Sequence, residues 1–246
     1  MSDTQFHTMP DGRRIAFRHA KGRGPTLVFL PGYMSDMAGG KATALFDWAT
    51  ARGQACLLLD YSGCGMSDGT FADGTLSRWR DEVVALVDAS VGGPVLMIGS
   101  SMGGWLMLLV AQALEERLAG MVGIAAAPDF TDWGRSDADK AKLAAGETVH
   151  DPNPYGPEPT PMHPSFFADG QALRQLDATV PIDVPVRLLH GQRDADVPWA
   201  ISMRLAEALR SGDVQVTLVK DGEHRLSRPQ DIALLLRTVA ALSGDA

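Results

Sequence analysis

Cysteine is scarce: Cys56 and Cys64 are the two in 246 residues, too few for a disulfide framework and without the CxxC spacing of a metal site. A chain of this length buries roughly 70–75% of its unfolded surface and needs no such staple. Both thiols therefore read as structural, and a reducing compartment is expected. Positive charge is also short, with 22 basic against 30 acidic side chains, a net charge of −8, and no Lys/Arg cluster to reverse it locally. Nucleic acid is not an expected partner. Residues 1–14 are polar and hold no apolar h-region, so no secretory signal is expected. One long uncharged stretch exists, residues 91–114, but Gly92, Gly93, Pro94, Gly99, Gly103 and Gly104 interrupt it. It predicts a buried strand, a tight turn and a buried helix rather than a membrane span. Cofactor motifs are missing as well. Gly63-Cys64-Gly65 with Gly69 has the wrong spacing for a dinucleotide fingerprint, and neither a P-loop nor H-E-x-x-H occurs. No metal and no organic cofactor is implied, and a soluble, cytoplasmic protein is expected.

Apolar residues make up 45% of the chain and charged residues 21%, ordinary globular usage. Short, nearly continuous apolar runs recur at residues 26–30, 55–59, 94–98, 121–127, 186–189 and 214–219. Runs without polar alternation predict strands covered on both faces, as in a largely parallel sheet. Helical periodicity falls between them. Leu76, Trp79, Val83, Leu86 and Val87 share a face over residues 75–90, and Ile232, Leu235, Leu236, Val239 and Leu242 share one near the C-terminus. Pro198 and Gly212 bracket a further helix. The reading is a single α/β domain over residues 1–246, a mostly parallel central sheet flanked by helices, with an antiparallel strand at 13–19. Residues 129–184 break the rhythm. They show no strand pattern, six prolines crowd 152–164, and short helices are expected at 137–146 and 166–176. An insertion of this kind reads as a Pro-rich lid; the alternative is a linker or a PxxP-type ligand.

The chemistry centres on Gly99-Ser100-Ser101-Met102-Gly103, a G-x-S-x-G pentapeptide between the run at 94–98 and an apolar helix at 103–114. Strand, sharp turn and helix are the setting of a nucleophile elbow, with Ser101 as nucleophile. A serine hydroxyl needs an adjacent base. In the order nucleophile, acid, base, the last histidine is His224, in the loop after residues 214–219. His190 ends a strand and suits bracing of the following turn, while His150 and His163 fall in the lid. The acid is read as Asp194, just past 186–189 and 30 residues before His224. Asp129 and Asp196 remain rivals, the second placed to cap a helix. An oxyanion hole needs two N–H donors. Met102, after the nucleophile, supplies one, and Tyr33 in Leu30-Pro31-Gly32-Tyr33-Met34 the other, with Met34 as fallback; Pro31 cannot donate. Trp105, Phe130, Trp133, Met162 and Phe166, with Phe167, are candidates for an apolar acyl pocket, or else pack the lid onto the body.

These residues resemble the α/β-hydrolase superfamily. Phe29-Leu-Pro-Gly-Tyr-Met-Ser-Asp-Met, Asp60-Tyr-Ser-Gly-Cys-Gly-Met-Ser-Asp-Gly, Gly99-Ser-Ser-Met-Gly-Gly-Trp-Leu-Met-Leu and Leu188-Leu-His-Gly are similar to the branch of palmitoyl-protein thioesterases and acyl-glucuronide esterases. The resemblance spans roughly residues 15–240 and is weak across the lid. The mitochondrial transit peptide of that branch is not seen, and the Ala/Gly/Arg-rich usage suggests a bacterial-type homologue. The resemblance implies an α/β-hydrolase fold and a serine hydrolase of acyl thioesters and esters, with Ser101, Asp194 and His224 as triad and a small-molecule or acylated-protein substrate. A second use of such a triad is C–C bond hydrolysis, lactone opening or cofactor-free perhydrolysis. A third reading is a non-catalytic binding module, which would have no reason to keep all three residues. Oligomeric state is not legible in the sequence.

Overall fold

Period-two alternation hidden inside the apolar runs divides the molecule into three layers. The computed structural model describes residues 3–154 and 156–244. From the N-terminus these form β1 (Gln5–Thr8), β2 (Arg14–Ala20), β3 (Arg23–Leu30), α1 (Gly40–Arg52), β4 (Gln54–Leu59), α2 (Leu76–Ser90), β5 (Val95–Ser100), α3 (Met102–Leu114) and β6 (Leu118–Ile124). An insertion follows with α4 (Phe130–Trp133), α5 (Asp137–Ala144), β7 (Val149–Asp151), β8 (Thr160–Met162) and α6 (Pro164–Ala172). The chain closes with β9 (Val186–Gly191), α7 (Ala200–Ala208), β10 (Val214–Val219) and α8 (Pro229–Ser243).

Eight strands make one sheet in the order β1-β2-β4-β3-β5-β6-β9-β10, antiparallel at β1 and β2 and parallel from β4 to β10. Alternate residues of its central strands enter opposite cores. Leu27, Phe29, Cys56, Leu58, Leu96 and Ile98 pack with α1 (Leu45, Phe46, Ala49) and α8 (Leu235, Val239). Val28, Leu30, Leu57, Leu59, Val95 and Met97 pack with α2 (Trp79, Val83, Leu86) and α3 (Leu106, Val110). A strand covered twice keeps no polar face, which is why these segments read as unbroken apolar runs. Burial of each large side chain contributes about 1.5–3 kcal/mol. Helix α3 is buried on nearly every side, so it carries no polar stripe.

Four features depart from the sequence reading. The run at 214–219, expected to be covered on both faces, is the edge strand β10 and is exposed at alternate residues. β1 was not anticipated, because its residues are exposed at the sheet edge and only pairing with β2 orders them. Helix α1 was not anticipated either, although Ala42, Leu45, Phe46 and Ala49 have helical spacing and Gly53 ends it in the left-handed conformation. The expectation of no strand in residues 129–184 is corrected: β7 and β8 pair antiparallel, Val149 opposite Met162. Each is an edge of a two-stranded ribbon, so Pro161 can sit in β8 without breaking a ladder.

The parallel strands end together. Leu30 stands beside Gly99, Ser100 beside Ile124, Ile124 beside Leu189, and Gly191 beside Val219. Loops after β3, β5, β9 and β10 therefore leave from one edge of the sheet, where ligands bind in open α/β folds. Among the described residues no helix is long and apolar enough to cross a membrane.

Candidate active site

Ser101 sits in the turn from β5 into α3 at φ 54°, ψ −121°. A non-glycine residue holds such a backbone where its surroundings over-determine it. Here Ser101 N–H donates to the Ile124 carbonyl (2.9 Å), and its own carbonyl accepts from Gly104 N–H (2.8 Å) and Ala127 N–H (3.0 Å). Glycine at 103 is demanded by close approach: a Cβ there would stand 2.1 Å from the Leu30 carbonyl oxygen and 2.5 Å from that of Pro31. Gly103→Ala must push α3 off the end of β3. We expect it to lose about 3 kcal/mol of unfolding free energy, read as a lower urea midpoint. A midpoint equal to that of the unmodified protein would mean that the backbone absorbs the methyl group without strain.

His224 Nε2 lies 3.1 Å from Ser101 Oγ, and His224 Nδ1 lies 2.9 Å from Asp194 Oδ2. A carboxylate can only accept, so Nδ1 carries the proton and Nε2 is the lone pair facing the serine hydroxyl. Two loops bring these groups together. Gly191 and Gly222 allow the loops to touch, since a Cβ on Gly191 would stand 2.4 Å from the Gly222 carbonyl, which also accepts from Arg193 N–H (2.8 Å). From the other side Lys41 of α1 donates to the Arg225 carbonyl at 2.5 Å. Burial pushes its ammonium down to about 8.

The Asp194 side chain is fully buried. Its Oδ1 accepts from Asp196 N–H (2.9 Å) and Val197 N–H (2.8 Å), while Oδ2 faces His224 and, at 3.2 Å, His190 Nε2. Burial alone would raise this carboxyl, but the hydrogen bonds from His190 and His224 hold it well below the usual carboxylate range. His190 was read as a brace for the turn; the structure puts it against the carboxylate as well. Its Nε2 also meets the Val197 carbonyl (2.9 Å) and its Nδ1 the Ser202 hydroxyl (2.7 Å), so Nε2 is the protonated nitrogen. The visible signal was a histidine just past the apolar run at 186–189, four positions before Asp194.

The rival acids stand elsewhere. The Asp129 carboxylate accepts from Gln175 N–H and Leu176 N–H, both 2.8 Å, pinning the returning end of the insertion. Burial pushes that carboxyl up. Asp196 lines the cavity but does not cap α7, which begins at Ala200 after Trp199. His150 is exposed on β7, and His163 Nδ1 meets the Thr148 hydroxyl at 3.2 Å. Asp194, Asp196 and His224 are the group of possible metal ligands found among the described residues, with ligand atoms within 4.8 Å. The His224 nitrogens and the Asp194 oxygens are already committed to one another, to Ser101, to His190 and to backbone N–H groups, which suits proton transfer better than metal ligation.

A cavity of about 610 Å³ opens above Ser101. Tyr33, Met34, Met102, Phe130, Trp133 and His224 line it together with residues of the β7–β8 hairpin loop. Met102 N–H belongs to the first turn of α3 and has no acceptor within the helix. Tyr33 lies in a turn closed by Ser35 N–H to the Gly32 carbonyl (3.1 Å), with Met34 left-handed at φ 55°. Gly32 lets this turn rest on Ser101, a Cβ there standing 3.3 Å from Ser101 Cβ. The expected acyl-pocket residues divide. Phe130 and Trp133 reach the cavity wall, whereas Trp105, Met162 and Phe166 do not. Those three are buried in the core between insertion and body: Trp105 meets Phe130 edge-on at 5.7 Å, and Phe166 lies 5.7 Å from Trp79. Phe167 is buried there too.

The model of the Alpha/beta hydrolase family matches residues 27–235 of the chain. The chain is 37% identical over 238 residues to human palmitoyl-protein thioesterase ABHD10, mitochondrial, covering 95% of this chain and 78% of that protein. Among solved structures it is similar to a protein from Agrobacterium vitis S4, with TM-score 0.93, 38% identity and 99% of both chains covered. It is likewise similar to the alpha/beta hydrolase domain-containing protein 10 from mouse, with TM-score 0.91, 34% identity and 98% of both chains covered.

Proposed function

The chain belongs to the alpha/beta hydrolase family and is a hydrolase acting on ester bonds, and we propose that it cleaves acyl thioesters or carboxylic esters through an acyl-enzyme on Ser101. The observation that carries this reading is the alignment of Ser101 Oγ, His224 and Asp194 at 3.1 and 2.9 Å. As Ser101 Oγ bonds to the acyl carbon, His224 Nε2 takes the hydroxyl proton. The carbonyl oxygen becomes an oxyanion facing Tyr33 N–H and Met102 N–H, donors that each contribute about 10²–10³ in rate in such sites. Collapse breaks the bond to the leaving thiol or alcohol, which receives the proton from His224. Water, giving a proton to the same imidazole, then attacks the acyl carbon; the bond to Ser101 Oγ breaks, the serine oxygen takes that proton back from His224, and the acid is released. Asp194, kept ionised by its neighbours, holds the tautomer and stabilises the imidazolium. In this reading residues 129–184 act as a lid, and Phe130 and Trp133 face the acyl group.

The relatives named palmitoyl-protein thioesterase make thioesters the first class to test. kcat/KM is compared over an acyl series from acetyl to palmitoyl, each as thioester and oxygen ester, with fluorophosphonate labelling of Ser101 as the active-site titration. A rise toward long-chain thioesters assigns the cavity to an acyl chain; a preference for short oxygen esters makes the protein a small-molecule esterase. An unmodified protein that neither labels at Ser101 nor turns over any member of the series would sink the proposal.

A further inference from the structure

Tyr33 belongs to two parts of the molecule at once. Its backbone lies in the turn that rests on Ser101, and both ends of that turn are tied to the sheet edge. Tyr61 donates its hydroxyl to the Pro31 carbonyl (3.1 Å), and Asp60 Oδ1 accepts from Met37 N–H (2.7 Å). Between these ties stands Met34 at φ 55°, a conformation that a methionine keeps only when its neighbours impose it. The Tyr33 side chain reaches the insertion. Its hydroxyl donates to the Pro161 carbonyl in β8 at 2.8 Å, and its ring meets Phe166 of α6 at 4.9 Å and Phe130 of α4 at 5.9 Å, both edge-on. Burial raises the phenol above its ordinary value, so the hydroxyl stays a donor. Asp151, Pro152, Asn153, Pro154 and Thr160 of the same hairpin line the cavity.

We propose that Tyr33 is a positioning residue, through which the β7–β8 hairpin sets the position of the Tyr33 N–H that faces the oxyanion; the inference rests on the serine-hydrolase reading above. A substrate seated against the hairpin bears on the strand that holds the Tyr33 hydroxyl. Binding energy gained far from the scissile bond is thereby delivered to the oxyanion donor, where it accelerates the chemical step rather than merely tightening binding.

Tyr33→Phe tests this, because it keeps the ring and the N–H and deletes the bond to Pro161. Hydrolysis of 4-nitrophenyl butyrate is measured per active site titrated with fluorophosphonate, so that a misfolded fraction does not count. A trifluoromethyl ketone, which adds Ser101 Oγ to its carbonyl and forms the oxyanion, is compared with butyrate as inhibitor. We expect kcat to fall about tenfold, the worth of one neutral hydrogen bond, with KM within about twofold. The ketone weakens by the same factor and butyrate does not. A purely structural Tyr33 hydroxyl would lower the melting temperature and leave kcat per titrated site alone, which overturns the proposal, as would equal weakening of ketone and butyrate. Failure of the unmodified protein to label at Ser101 overturns the hydrolase reading and this inference with it; normal labelling with unchanged kcat in Tyr33→Phe overturns the inference alone.

Discussion

Ser101→Ala is expected to lower kcat by about 10⁶ and to abolish the acyl-enzyme, by analogy with serine-protease nucleophiles. The loss is chemical rather than structural. Alanine keeps the Cβ and the backbone bonds to Ile124, Gly104 and Ala127 that hold the turn at φ 54°, so the melting temperature should hardly move. Residual turnover then measures what His224 and the backbone N–H groups still achieve on an acyl group attacked directly by water. The pentapeptide contains two serines, and Ser100→Ala is the control. Ser100 ends β5 beside Ile124 and makes no hydrogen bond to His224. Mass spectrometry of the trapped adduct decides between them: a +acyl shift that persists in Ser101→Ala would move the nucleophile elsewhere.

What could be read in the sequence follows how local its cause is. The elbow was legible because strand, glycine spacing and helix are contiguous, and the steric demand on Gly99 comes from Gly103 and Gly104 of the helix that follows it. The parallel sheet was legible because two covered faces leave unbroken apolar runs, as at Leu57, Leu58 and Leu59. Burial in the insertion was not. Trp105, Met162 and Phe166 have the composition of an acyl pocket, yet whether they face a cavity or fill a seam depends on how residues separated by 61 positions, such as Trp105 and Phe166, fold against each other. The acid was a matter of three candidates. Order along the chain favoured Asp194 without disposing of Asp129, since both follow parallel strands. What separates them in space is the direction of each carboxylate, set for Asp129 by two N–H groups more than 40 residues later.

Asp194→Asn should therefore cut kcat by about 10⁴ with the fold retained, the magnitude known for the equivalent change in a serine protease. The geometry supplies the reason. Oδ1 accepts from Asp196 N–H and Val197 N–H, so an asparagine keeps its oxygen there and must present its NH₂ to His224 and His190. Facing a donor, His224 turns to the tautomer with the proton on Nε2, and no lone pair is left for Ser101. At neutral pH the defect is the position of a proton on His224 and not its affinity. Asp129→Asn is the matched comparison. It places the same NH₂ against Gln175 or Leu176 N–H, costs about 1–3 kcal/mol of stability through one unmade buried hydrogen bond, and should change kcat by no more than a few-fold. Steady-state kinetics and urea unfolding on the two variants separate the roles. A near-silent Asp194→Asn beside a crippled Asp129→Asn would exchange the two roles.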